Sequence, residues 1–235
     1  MGNKLKIYVI HYKGYPDRKK HMNNLLKDIK YESEFIDDFD REELTQKDID
    51  SIYKDSESAF LEKVQLWGSR ANPYAKLRKS EISVAIKFIH TFRKILVDSH
   101  EFALILEDDC IPLRKEFIVE IEKLVKKNSK WDVMFIGEGM GESFRNGKIG
   151  LRKYIPFIKS IKISHPASNT TDAIIIKKNS VAKLMENLIP INLVHDWELA
   201  YQFYIKDMQI HWSKKSIFKQ GSKNNVFHSE MREES

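Results

Sequence analysis

Three consecutive acids, Glu107, Asp108 and Asp109, follow the apolar run 102–106. The run has no helical period, which suits a strand buried on both faces better than an amphipathic surface element. Carboxylates at the end of such a strand are raised in free energy by desolvation and by mutual repulsion, unless a cation neutralises them. An oxygen-only donor set favours a hard divalent ion (magnesium, calcium or manganese) over zinc, and such ions commonly bridge to phosphates. Asp109 is expected to be the chief ligand, with Glu107 or Asp108 contributing. The alternative is a surface turn whose acids point at water. Cys110, beside the acids, reads as a small packing residue rather than a nucleophile. Lys13 and Arg18 could meet a phosphate from the loop after the first strand, and His228 in the C-terminal segment could add a metal or phosphate contact; residues so placed are more often solvated charges.

Positioning these groups requires alternating strands and helices. Residues 5–10 read as a first strand, the loop 11–18 carries Gly14 and Pro16, and Met22, Leu25, Leu26 and Ile29 mark an amphipathic helix over 17–30. Residues 34–36 read as a short strand, and Thr45 with Asp48 as a helix start. Ser80 is expected to cap a long helix with Ile82, Ala85, Ile86, Ile89, Phe92, Ile95 and Leu96 on its buried face, leading into the acid-bearing strand. Further strands are expected over 131–136, 171–177 and 208–212, and helices over 117–125, 180–188 and from His195 onward. The glycine-rich loop 137–150 reads as a cover for substrate or as plain surface. This alternation implies an α/β sandwich with a mostly parallel sheet, in which ligands bind outside the carboxyl ends of the strands.

The chain has 235 residues, a net charge of +6 and a single cysteine, which rules out an internal disulfide framework. No stretch approaches the roughly 18 apolar residues of a membrane span, and the N-terminus lacks a signal-peptide core, so a cytoplasmic location is expected. Lys6 stands where a myristoylation motif wants Ser or Thr. The basic balance allows a nucleotide, a nucleic acid or an anionic membrane face as partner without choosing among them.

The segments Ile7-Tyr8-Val9-Ile10 with Pro16-Asp17-Arg18, Glu81-Ile82-Ser83, Ala103-Leu104-Ile105-Leu106-Glu107-Asp108-Asp109 and Thr171-Asp172-Ala173 together resemble glycosyltransferase family 25, the lipopolysaccharide and collagen-type β-galactosyltransferases. Departures include His11-Tyr12 where the family has Asn-Leu, and Val84, Lys87 and Phe88 where it has a Cys and a Ser-His pair. The resemblance implies a GT-A-like α/β/α sandwich over residues 1–212, with a basic tail over 213–235 that orders over the donor site. It also implies inverting, metal-dependent transfer of galactose from a UDP-sugar to a cell-envelope or lipopolysaccharide glycan, with Mn2+ or Mg2+ as cofactor. On this reading Ile10, Lys13, Arg18, Asp108 and Gln220 meet the donor, and Glu107, Asp109 and His228 the metal. An inverting reaction needs a base, and Asp196 and Glu198 are the candidates, with Asp196 preferred at the helix entrance and a helix cap as its alternative role. The partners would be a nucleotide-sugar donor and a glycan acceptor, with no nucleic acid and with peripheral contact to an anionic membrane at its inner face. A metal-dependent nuclease or phosphotransferase, and a non-catalytic basic nucleic-acid-binding domain, are the competing classes.

Overall fold

A computed structural model describes residues 4–70, 73–126, 130–139, 160–163, 170–213 and 215–228. The first strand, β1 (Leu5–Ile10), is followed by the helix α1 (Pro16–Leu26), whose proline sits in the first turn, where no backbone donor is needed. After β2 (Ser33–Ile36) come two short helices, α2 (Gln46–Asp50) and α3 (Glu57–Val64). Thr45 and Asp48 form the expected capping box on α2, and Ser56 caps α3. A 3-10 turn over Gln65–Arg70 completes a stretch whose sequence has no clear period.

The long helix α4 (Lys79–Val97) buries Ile82, Ala85, Ile86, Ile89, Phe92 and Ile95. Its cap differs from expectation. Arg78, not Ser80, is the first boundary residue, because the Glu81 carboxylate reaches back to the Arg78 N–H at 2.8 Å. The acid-bearing strand is β3 (Phe102–Glu107), then β4 (Cys110–Pro112), α5 (Phe117–Lys126), β5 (Val133–Phe135), β6 (Ser160–Ile163) and β7 (Ala173–Lys177). The helices α6 (Lys178–Met185) and α7 (His195–Ile205) precede β8 (Ile210–Ser213) and β9 (Phe218–Gln220). Most of the glycine-rich loop lies outside the described residues.

The main sheet has the order β2-β1-β3-β7-β5-β8-β6. Strands β2, β1, β3, β5 and β8 share one direction, with β7 and β6 against them, so the sheet is mostly parallel as expected. Apolar side chains cover both faces. On one, α4, α6 and α7 pack over Tyr8, Ala103, Ile105, Ile174 and Ile176; on the other, α1 and α5 pack over Ile7, Leu104, Leu106 and Ile175. Burial on both faces explains why β3 and β7 read as unbroken apolar runs. A second, two-stranded sheet pairs β4 with β9, and through it Ile217 and Phe218 enter the core.

Candidate active site

The register Leu106↔Ala173 sets the start of β7 beside the end of β3, so Asp172 arrives next to Glu107. The Glu107 N–H donates to the Asp172 carbonyl at 2.8 Å, and the Cys110 thiol donates to the same oxygen at 2.7 Å. Cys110 is fully buried and its thiol is pushed well above its usual range by that burial and by the nearby carboxylates, so it packs rather than reacts.

The acids differ in how they are held. Asp108 is spent on structure at the cavity wall: its carboxylate accepts from His11 Nδ1 at 2.7 Å, Arg18 at 2.9 Å and the Tyr12 N–H at 3.3 Å. Glu107 accepts from Thr171 Oγ1 at 3.1 Å and Gln220 Nε2 at 3.0 Å, and burial, then Asp109 and Asp172, hold its carboxyl well above the usual range. Asp109 accepts the Ser222 N–H on Oδ2 at 3.1 Å, while its Oδ1 is buried without a partner among the described residues. Asp172 takes the Thr170 hydroxyl on Oδ1 at 2.7 Å, leaves Oδ2 buried without a partner among the described residues, and is pushed up to about 6 by burial. Gly137 makes room for it: a Cβ there would stand 2.1 Å from Asp172 Oδ2.

Ile10, His11, Tyr12, Tyr15, Arg18, Ser83, Lys87, the three acids, Gln220, Ser222 and Lys223 line one cavity of about 400 Å³ at the carboxyl ends of β1 and β3. Two buried cations shape it. Arg18 bridges Asp108 to the His228 carbonyl and lies 4.1 Å over the Tyr15 ring. Lys87 donates to Asp40 and to the His11 carbonyl, and Ser83 one turn earlier holds the Phe39 carbonyl at 2.6 Å. Helix α4 thereby fastens both loops that follow β1 and β2. The chain after β9 closes the opposite side. Gly221 donates to the Asp109 carbonyl at 2.8 Å, a contact so close that any Cβ there would stand 2.8 Å from that oxygen.

Of the residues singled out in the sequence, the cavity brings together Ile10, Arg18, Glu107, Asp108, Asp109 and Gln220. Lys13 lies beside it, its N–H on Asp40 at 3.1 Å and its ammonium paired with Glu43 at the surface. His228 is exposed, and its carbonyl is what meets Arg18. Neither Asp196 nor Glu198 is among the residues that line the cavity. The alternative role of Asp196 as a helix cap is not what the structure has, because Val194 occupies the N-cap of α7 and Asp196 is the second helical residue, its Oδ1 taking the Trp197 N–H at 3.0 Å. Glu198 is buried and engaged on both oxygens. It accepts Lys63 at 2.7 Å, Gln202 at 3.0 Å and the N–H groups of Asn192 and Leu193 at 3.1 and 3.3 Å. His11, Lys87, Asp40 and Asp172 are site residues that residue patterns alone did not single out.

A divalent cation, which the resemblance implies, fits this chemistry. The donors are all oxygen, and Asp109 Oδ1 and Asp172 Oδ2 are buried acceptors with nothing to accept from. Among the described residues, no group of three His, Cys, Asp or Glu side chains stands at chelating distances.

Among solved structures, the chain is similar to a protein from STIV (12% identity, 92% of this chain and 83% of the other, TM-score 0.47). It is also similar to a glycosyltransferase involved in glycosylation of the major capsid of PBCV-1 (9% identity, 92% and 93%, TM-score 0.43). A third is a Drosophila β-1,4-galactosyltransferase 7 in complex with manganese, UDP-Gal and xylobiose (11% identity, 97% and 73%, TM-score 0.40). At such identities likeness of fold says nothing about shared chemistry. No protein of curated function matches the sequence. The family model described as glycosyltransferase family 25 (LPS biosynthesis protein) matches residues 4–199, a span that holds β1, the acids and the start of β7. The chain therefore belongs to glycosyltransferase family 25.

Proposed function

We propose that this glycosyltransferase moves galactose from UDP-galactose, with inversion, to a hydroxyl of a cell-envelope glycan such as a lipopolysaccharide oligosaccharide. The observation that carries this reading is the acid cluster at the carboxyl end of β3, in the wall of a cavity that also presents Arg18 and Lys223. Glu107, Asp109 and Asp172 would hold Mn2+ or Mg2+, which when bound supplies Lewis-acid stabilisation of charge on the departing diphosphate.

The chain's own residues would do the rest. Arg18, fixed by Asp108, aims fixed positive charge at the diphosphate without reorganising during the reaction. Lys223, whose ammonium is anchored on the Gly139 carbonyl at 3.1 Å, adds charge from the other wall. The segment after β9 excludes water from that side. For the base, Glu198 is committed to Lys63 and to backbone donors, and Asp196 on the first turn of α7, outside the cavity lining, is the other candidate. Its neighbour His195 stacks at 3.8 Å on Phe88, the residue after Lys87 of the cavity wall. Asp196 would take the acceptor hydroxyl proton as the new bond forms. No helix among the described residues is long and apolar enough to cross a membrane; the basic surface would favour peripheral contact with an anionic membrane that carries a lipid-linked acceptor.

The test is transfer from a panel of nucleotide sugars to envelope oligosaccharides, with and without manganese, with anomeric configuration read by NMR. The expected result is a β-linked galactoside, formed from UDP-galactose and abolished by chelator. Undiminished transfer in chelator, retention of configuration, or preference for a cytidine or guanosine donor would overturn it, as would metal-dependent cleavage of nucleic acid without transfer.

A further inference from the structure

The imidazole of His11 is an unusual feature of the cavity wall. It is 1% exposed, follows β1 directly, and has one ring nitrogen that nothing explains. Nδ1 lies 2.7 Å from Asp108 Oδ2. Asp108 already accepts from the Arg18 guanidinium and the Tyr12 N–H, so it is the ionised acceptor, and Nδ1 carries the hydrogen between them. That fixes the tautomer and leaves Nε2 as a lone pair. Nε2 is buried with no partner among the described residues, a state that native proteins seldom tolerate without a ligand.

The acids around this ring are each paired with a cation. Asp108 is matched by Arg18, Asp40 by Lys87, and Asp37, the acid near enough to feel the ring, by Lys19 at 2.6 Å. His11 is among the residues that line the cavity; its lone pair needs a donor, and ionised phosphate oxygens have none to give. The neighbouring wall suits a flat ring. Tyr12 and Tyr15 meet edge to face at 5.2 Å, and Arg41 lies 5.2 Å over the Tyr12 ring.

We propose that His11 reads the nucleobase of the donor, with Nε2 accepting the ring N–H of uracil and rejecting cytosine, whose matching ring nitrogen is itself a lone pair. The proposal rests on the nucleotide-sugar reading above and deepens it. His11 is a specificity-determining residue, and Asp108, by orienting its ring, joins the base pocket to the Arg18 that faces the diphosphate. An acceptor buried in a preformed pocket discriminates most strongly against a ligand that leaves it unpaired.

The test is calorimetric binding of UDP, CDP, GDP and N3-methyl-UDP to the full chain with manganese present, for wild type, His11→Phe and His11→Gln. Wild type should prefer UDP to CDP by about 10- to 100-fold and should lose a similar factor on N3-methylation, the cost of leaving one buried hydrogen-bonding group unpaired. His11→Phe should lower UDP affinity about tenfold or more while CDP changes little, so the ratio collapses. His11→Gln, which can still present an acceptor oxygen, should recover part of the preference. Equal losses of UDP and CDP in His11→Phe, with the ratio preserved, would mean that His11 only supports the fold. Wild-type indifference to N3-methylation would overturn the proposal without any variant, and tighter binding of GDP than UDP would do so too. Failure of every nucleoside diphosphate to bind would remove the nucleotide-sugar reading itself, an outcome distinct from equal binding of UDP and CDP.

Discussion

Asp172→Asn should make the protein more stable and less able to hold its metal. Asp172 is fully buried with one oxygen unpartnered, and its carboxyl is pushed from 3.8 to about 6. A raised folded-state value means that the native state binds the proton more tightly than the unfolded chain does. Between about pH 4 and 6 the native state therefore carries more protons, and stability falls as pH rises through that window, levelling off above it. At about 1.4 kcal/mol per pH unit, the loss at pH 8 is of order 3 kcal/mol. The Asn variant keeps the shape and the Thr170 contact while removing the charge. Its advantage should thus be small at pH 4 and should reach about 2–3 kcal/mol at pH 8, or roughly 4–12 °C in melting temperature for a chain of this size. Manganese should raise the melting temperature of the wild type at pH 8 and do much less for the variant. The assay is paired thermal melts at both pH values, with and without the ion. An Asn variant no more stable at pH 8 than at pH 4 would refute the idea that Asp172 carries an uncompensated charge, and equal stabilisation of both proteins by manganese would refute its role as ligand.

Asp109→Asn should leave the melting temperature near wild type and lower transfer by about 10²-fold or more, as expected when an interaction specific to the transition state is lost; near-normal turnover would exclude Asp109 as a ligand. Asp196→Asn should lower turnover by about 10²-fold with donor affinity unchanged, measured by separate binding and rate experiments. Glu198→Ala should act oppositely in kind: it strands Lys63 and the N–H groups of Asn192 and Leu193, at a cost of about 3–5 kcal/mol in denaturant unfolding. Lys87→Met should cost a similar amount by leaving Asp40 buried without its cation, and whatever protein remains folded should show weaker donor binding, because the loops after β1 and β2 lose their shared anchor.

Strand order and direction are where the sequence falls short. The runs 102–106 and 173–176 are legible as buried strands, since apolar side chains on both faces leave no alternation to confuse with a helix. Nothing in such a run says which way it points. Were β7 parallel to β3, Asp172 would sit at the far end of the sheet from Glu107; only the antiparallel register makes it part of the site. The same gap hides β4 and β9, three residues each and far apart in sequence, whose pairing turns an apparently polar tail into a wall of the cavity. Glu198 shows the converse. Its position two residues after Asp196 looked like chemistry, but the buried N–H groups of Asn192 and Leu193 before the helix and the half-buried Lys63 claim it, and neither is visible in local spacing.

The two ends of the sheet differ in electrostatic completeness. Near the starting ends of β1 and β3, Asp98 is satisfied by Lys6 and Tyr8 at 2.9 Å each and by His100, and its carbonyl by Lys178. These partners depress its carboxyl far below the usual range despite burial, as in a finished structural ion network. At the opposite ends the same residue types are left open. His11 Nε2, Arg18 Nε, Asp109 Oδ1, Asp172 Oδ2 and Gln220 Oε1 are all buried without partners, and Glu107 and Asp172 are pushed up rather than down. Folding alone gains nothing from such an arrangement, since each open group costs about 1–3 kcal/mol. Groups of opposite character left open around one cavity, carboxylate oxygens at one side and an imidazole lone pair beside aromatic rings at another, are matched by a ligand that brings a cation, phosphates and a ring N–H together. A metal-bound uridine diphosphate sugar, the donor proposed above, would bring all three in a single molecule, and the binding experiments with UDP and manganese test that match.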